Sequence, residues 1–271
     1  MGVPGSESSI LGGAAGQSSG GSSFEYSYQI EQSLRMEAGS AMYLSRTLGT
    51  ATNRDIVTIS LWVKRHSEIG SSSKTTIFTG GTSGAQYSYT SFRDNDTINL
   101  DMQTTMTSIG ETNEKFRDVS AWYHLVYRFD TSQGTQSNRL RLYVNGTQLT
   151  GLDLSNISQD EDVAHWTAAE AFYIGQKNGI GHASDGTNLY YAEVNYADGQ
   201  SYAPTQFGET KEGIWIPKDP SGTTYGNNGF HLKFENASDL GNDSSGNDND
   251  FSATGLGTDH QVKDSPTFTA P

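Results

Sequence analysis

The stretches WYHLVYRFD at 122–130 and RLRLYVNG at 139–146 decide the fold. In the first, Tyr123, Leu125, Tyr127 and Phe129 alternate with Trp122, His124, Val126 and Arg128; in the second, Leu140, Leu142 and Val144 take every other place. A period of two is that of a strand with one face buried. Asn145-Gly146 accepts positive φ at both central positions of a tight turn, so it predicts a hairpin returning through Thr147, Gln148 and Leu149. The alternation continues on either side. In VTISLWVKR, Val57, Ile59, Leu61 and Val63 oppose Thr58, Ser60, Trp62 and Lys64, and Tyr28, Ile30, Leu34 and Met36 alternate with polar residues. TINLDMQ, AFYIGQ, LYYAEVNYAD, GIWIP and GFHLKFE read the same way, with turn residues between them. Pro204 and Gly208 bracket one helical turn at most, and no longer amphipathic helix is visible. The expectation is an all-β, two-sheet antiparallel jelly-roll sandwich.

Composition narrows the function. The chain has 271 residues, of which 33% are hydrophobic, yet its 14 Tyr, 11 Phe and 4 Trp can build an aromatic core. Its 31 acidic and 17 basic residues give a net charge of −14. A surface of that sign repels phosphate, which argues against nucleic acid and anionic membranes as partners. There is no cysteine, hence neither a disulfide nor a thiolate metal site. No apolar run is long enough for membrane insertion, and MGVPGSESS has neither the basic nor the apolar region of a secretory signal.

Residues 1–23 are rich in Gly, Ser and Ala, and Ile10-Leu11 is their one clear apolar pair. Such a segment cannot offset its own ordering entropy, so it is expected to be an arm anchored on another molecule, with a sandwich over 24–271. Gly16-Gln17-Ser18-Ser19-Gly20 matches a nucleophile elbow in letters only, since it lacks the strand before and the helix after.

The ordered series SLRMEAGSAMYLSRT, ISLWVKR, FRDVSAWYHLVYRFD, NRLRLYVNG, AEVNYADGQSYAPTQFGE, GIWIPK, GNNGFHLKFENAS and NDSSGNDNDFSA resembles the laminin G-like, concanavalin A-like lectin/glucanase superfamily. Its last four pieces resemble a subgroup found in bacteriophage and marine-virus structural proteins. The resemblance implies a concanavalin A-like sandwich and a permuted order: GFHLKFE and the strand at Phe251 lie beside the N-terminal strands and close the fold. The glucanases of this superfamily carry a Glu-x-Asp-x-x-Glu strand, which this chain lacks, so an enzyme is not expected.

Two kinds of site are written in the loops. Asp243, Asn247, Asp248 and Asp250 offer the oxygen ligands calcium prefers, without the spacing of an EF-hand; the alternative is a corner of Asx turns. No cofactor is required. Glycan binding needs an aromatic face beside amides or carboxylates. Tyr87, Tyr89 and Phe92 near Asp94, Asn95 and Asp96 offer this mixture, as do Trp166 near Asp160 and Asp162, and Tyr225 near Asn227 and Asn228. Each ring has the alternative of packing its own loop. His124 is expected to pack with a hydrogen bond, and His165 to be the more exposed histidine. Together these readings lead to a bacteriophage virion protein, a capsid decoration, head fibre, or tail fibre or adaptor. It would be bound to other virion proteins through residues 1–23, in a symmetric homo-oligomer. The alternatives are a receptor-binding lectin for host surface glycans and, third, a polysaccharide-degrading enzyme.

Overall fold

The computed structural model describes residues 24–37, 41–70, 73–83, 86–102, 109–175 and 187–267; the arm at 1–23 lies outside them. Among the described residues seventeen strands follow one another. They are β1 (Ser33–Met36), β2 (Tyr43–Thr47), β3 (Ile56–Arg65), β4 (Lys74–Ser83), β5 (Gln86–Arg93), β6 (Ile98–Met102), β7 (Gly110–Glu111), β8 (Trp122–Asp130) and β9 (Leu140–Val144). After these come β10 (Thr147–Gln148), β11 (Ala171–Gly175), β12 (Leu189–Asp198), β13 (Gly208–Lys211), β14 (Ile214–Pro217), β15 (Phe230–Leu232), β16 (Ser252–Thr254) and β17 (Gln261–Val262). Helical structure among the described residues is confined to 3-10 turns, one of them Pro204–Gln206 with the proline at its start.

Two antiparallel sheets form the sandwich. The larger runs β10-β9-β8-β3-β12-β1-β17, with β15 also paired to β12; the smaller runs β16-β2-β11-β4-β5-β6-β7. β16 lies beside β2 and β17 beside β1, so the C-terminal segment completes both sheets next to the N-terminal strands. The hairpin predicted at Asn145-Gly146 is present, with φ of 48° and 77° at the two residues. Asparagine tolerates that region and glycine is free in it, which is why this dipeptide closes the turn.

Between the sheets lies an aromatic core. Trp166 meets Phe78, Phe129 and Tyr127 edge-on at centroid distances of 4.9, 5.3 and 6.3 Å. Phe172, Tyr196, Phe230 and Phe251 continue it toward the C-terminal closure. The polar tips of these core rings have partners: Trp166 Nε1 donates to the Ser88 carbonyl, Tyr191 to the Ile77 carbonyl, and Tyr127 meets the Thr90 hydroxyl. Gly80 of β4 lets the turn at His165 and Trp166 lie close against that strand, because a Cβ there would sit 1.8 Å from the His165 carbonyl oxygen.

Two expectations need correction. The segment holding Tyr28 and Ile30 is not strand until Ser33; its backbone bonds instead to Thr267 and Ser265. The polar face of β3 is not solvated. Thr58, Ser60 and Trp62 are buried, because Ile30, Tyr28 and the β13–β14 hairpin cover the outer face of the larger sheet. Trp215 of that hairpin lies across the Asn145-Gly146 turn and donates its Nε1–H to His124 Nδ1 at 3.0 Å. His124 also stacks on Trp62, 4.8 Å between centroids, and its Nε2 lies 2.8 Å from Ser60 Oγ. Because Nδ1 accepts, Nε2 carries the proton, and burial lowers the His124 pKa to about 3. This is the hydrogen-bonded packing role expected for His124.

Candidate functional site

The predicted residues fall into four places. Tyr87, Tyr89 and Phe92 are on β5, not in a loop as expected, and Phe92 points into the core. Tyr87 is half-buried, but Tyr89 is 1% exposed and its hydroxyl receives Lys74 Nζ at 2.5 Å, so its ring offers no stacking face. Asp94 is exposed at the β5–β6 turn, where Asn95 bonds Glu111 and Asp96 holds the buried Arg65.

A second group surrounds an open cleft of about 480 Å³ lined by Arg54, Asp160, Asp162, His165 and Glu170. Asp160 is exposed and Asp162 pairs with Arg54 at 2.5 Å. Trp166 is fully buried, turned away into the core, so the expected pairing of its ring with these carboxylates is not made. His165 is likewise buried rather than exposed, with Nδ1 2.7 Å from Glu170 Oε2. Its lining holds no Trp, Tyr or Phe ring.

The third place is the Asp243–Phe251 corner. Asp243 Oδ1 accepts the His231 and Ser245 N–H groups, and Oδ2 accepts the Ser245 hydroxyl and the Asn249 N–H, all at 2.8–2.9 Å. Asp250 Oδ1 accepts the Asp243 N–H. The Asn247 amide donates to the carbonyls of Gly226 and Gly229, while Asn249 donates to those of Asn227 and Gly229. Donors therefore surround the Asp243 carboxylate, where a cation would need acceptors to converge. The segment works as a clamp of Asx bonds on the 226–229 loop, with Asp248 in the left-handed region at φ 56°. Among the described residues no group of three or more acidic or histidine side chains is arranged to hold a metal ion.

The fourth place gathers aromatic rings, carboxylates and open space. It is a cleft of about 500 Å³ over the outer face of the larger sheet, lined by Tyr28, Asp219, Tyr225, His231, Lys233, Glu235, Ser244 and Ser245 among others. Asn227, exposed, stands at the end of the same loop as Tyr225 and bonds to Thr50 and Thr52. The cleft owes its shape to a bulge in β12. Pairing with β3 slips between Ala192 and Asn195, and Glu193 takes φ 49°. An extra residue at such a bulge re-aims its side chain. Glu193 Oε1 accepts the Tyr28 hydroxyl at 3.1 Å and Oε2 accepts His231 Nε2–H at 2.5 Å. Tyr225 stacks on His231, 6.2 Å between centroids at 15°, and donates its hydroxyl to Asn195 Oδ1 at 2.7 Å. Both phenols are thus tied, which fixes their rings. Burial raises both phenol pKa values; Glu193 and Asp219 raise them further. Of this site the sequence reading held Tyr225 and Asn227. Tyr28, Glu193 and His231 were missed, since they are 165 and 38 residues apart along the chain and only the bulge brings them together.

Residues 37–199 match a family model described as the concanavalin A-like lectin/glucanases superfamily. Among solved structures, a heptameric SAP-like pentraxin from Limulus polyphemus is 15% identical, with a TM-score of 0.47, covering 66% of this chain and 81% of that one. Domains LG4-5 of the mouse laminin alpha1 chain are 10% identical at a TM-score of 0.44, covering 78% and 49%. A Trypanosoma rangeli sialidase, solved with sialic acid, is 13% identical at 0.40, covering 64% and 31%. Among curated proteins no sequence matches the chain.

Proposed function

The chain belongs to the concanavalin A-like lectin/glucanase superfamily, and on that premise we propose that it is a non-catalytic binding module whose ligand is a host surface glycan. The carrying observation is the cleft in which two fixed tyrosine rings stand beside carboxylates, a lysine and two serines. Rings take the C–H face of a sugar and the polar groups its hydroxyls. The carboxylates of β12 are committed elsewhere: Glu193 holds Tyr28 and His231, and Asp198 Oδ2 accepts the Thr52 and Asn228 N–H groups. That commitment favours binding over glycoside hydrolysis, which needs a free acid and a free base or nucleophile.

The module is proposed to sit on a bacteriophage virion as a decoration, head fibre, or tail fibre or adaptor, held by residues 1–23. The composition of that segment and the ordered resemblance of the C-terminal pieces to viral structural proteins support this placement. Virion copies are expected as a symmetric homo-oligomer. The test presents the full chain to an array of host-type glycans beside Tyr225→Ala. Saturable binding that the substitution removes is the expected result; array binding that survives it defeats the assignment of the cleft. For the virion role, phage carrying the protein without residues 1–23 should assemble without it, and normal incorporation defeats the anchoring reading.

A further inference from the structure

Taking the cleft between Tyr28 and Tyr225 as the glycan site, we infer that it takes a sugar bearing a free protonated amine, of the glucosamine type, in preference to N-acetylated or anionic sugars. The inference deepens that reading and rests on it. Asp219 and Glu235 line the opening, with Glu193 and Asp243 directly behind, each bonded to His231 through its side chain or backbone. Lys233 is paired with Glu235 at 2.5 Å, so those two charges offset each other, and the His231 Nε2–H is given to Glu193, which leaves Asp219 as the unpaired carboxylate of the opening. Asp219 uses one oxygen, Oδ1, for the Ser221 N–H and sits exposed at the rim.

The same carboxylates act on the two phenols. Beyond burial, the Tyr28 phenol is raised by Glu193, Asp219 and Glu235, and the Tyr225 phenol by Glu193, Asp243 and Asp219. Ring faces in a negative potential are where an ammonium group gains most, through its attraction to the π-cloud and its N–H bonds to carboxylate. An N-acetyl group keeps the sugar but loses that charge. A sialylated or uronic sugar meets repulsion here and from a chain of net charge −14.

The experiment is calorimetric titration of the full chain with a glucosamine trimer, an N-acetylglucosamine trimer and a sialylated trisaccharide, at low and high salt. The amine trimer is expected to bind about tenfold more tightly than its acetylated form. Salt should shrink that ratio. Asp219→Asn, which keeps the Ser221 bond, should lower amine binding by roughly two- to fivefold with the melting temperature unchanged. Asp160→Asn, in the cleft without tyrosine or tryptophan rings, is the control and should change nothing. Equal binding of the amine and acetyl trimers overturns the charge preference while leaving the glycan site in place. Equal losses from Asp160→Asn and Asp219→Asn mean diffuse attraction and also overturn it. If no sugar of any charge binds, both the preference and the site fall.

Discussion

Replacing Asp243 by alanine tests whether the DSSGNDNDF corner is a clamp or a cation loop. The carboxylate is 7% exposed in its residue and accepts four bonds, three of them from backbone N–H groups of His231, Ser245 and Asn249. A hydrogen bond to a charged group contributes about 1.5–3 kcal/mol net, and donors left buried without a partner add to the loss. Four such bonds do not add fully, since the loop can relax toward water, so a total of about 3–5 kcal/mol is expected. For a domain of this size, one kcal/mol moves the midpoint by roughly 2–4 °C. Asp243→Ala should therefore lower the melting temperature by about 10 °C, read by circular dichroism against the wild type. Millimolar calcium should leave the wild-type midpoint where it is, because the oxygens already face donors. A drop below about 2 °C would show that the four bonds contribute little. A calcium-dependent rise, which reaches about 2.7 kcal/mol at one hundred times Kd, would show that Asp243, Asn247, Asp248 and Asp250 rearrange around a cation and would refute the clamp.

Three further outcomes follow from the packing. His124 has a folded pKa of about 3, below the ordinary value of 6.5, so the unfolded chain takes up a proton that the fold refuses. Its contribution is intact above pH 6.5 and is lost as pH falls from there toward 3, amounting to about 2 kcal/mol at pH 5. Urea titrations of wild type and His124→Gln at pH 7 and pH 5 should show that difference in slope, and parallel curves would contradict it. Gly80→Ala places a Cβ on the His165 carbonyl, and soluble expression with an unchanged melting curve would be incompatible with the 1.8 Å approach. Trp215→Ala uncovers Trp62 and removes the partner of His124 Nδ1; a loss of about 3 kcal/mol in urea unfolding is expected, in the range of large-to-small substitutions in a core.

The strands with strict alternation were legible. WYHLVYRFD is β8 to the residue, and Leu125, Tyr127 and Phe129 face the core as their spacing requires. β4 and β5 were not read as strands, because KTTIFTGGTS and QYSYTSFR mix Ser, Thr and Gly with their aromatics and look like loop sequence. There the tertiary context overrides local composition: the smallness of Gly80 is what the approach of His165 and Trp166 demands. Trp166 and His165 were misread for a related reason. An acidic loop predicts exposure for its own neighbours, yet a side chain of that size is buried wherever the core has room for it. The cleft was legible only through Tyr225 and Asn227, since the register slip between Ala192 and Asn195 moves the core-facing positions of β12 from Leu189 and Tyr191 to Val194 and Tyr196, a phase change that a strict period of two does not show.

The origin of the cleft also separates what the family shares from what this chain adds. The family match ends at residue 199, and within it Glu193 and Asn195 bond the Tyr28, His231 and Tyr225 side chains of the cleft. Tyr28 precedes the match, while Asp219, Tyr225, His231, Lys233 and Ser244 follow it. Without those flanking segments, Ser60, Trp62, His124 and Glu193 would stand on an open sheet face, a polar surface like that of many sandwiches. The flanks convert it: the β13–β14 hairpin covers His124 and Trp62, and the loop at 219–225 and β15 wall the cleft beside the bulge. The Asx clamp at 243–250 fixes the far wall of that opening through Asn247 and Asn249. On the proposed reading, binding specificity would be set by the segments outside the family match. Accordingly, substitutions at Tyr28, Asp219 or Tyr225 should change ligand preference at little cost to the fold, whereas substitutions on β3 or β8 should do the reverse.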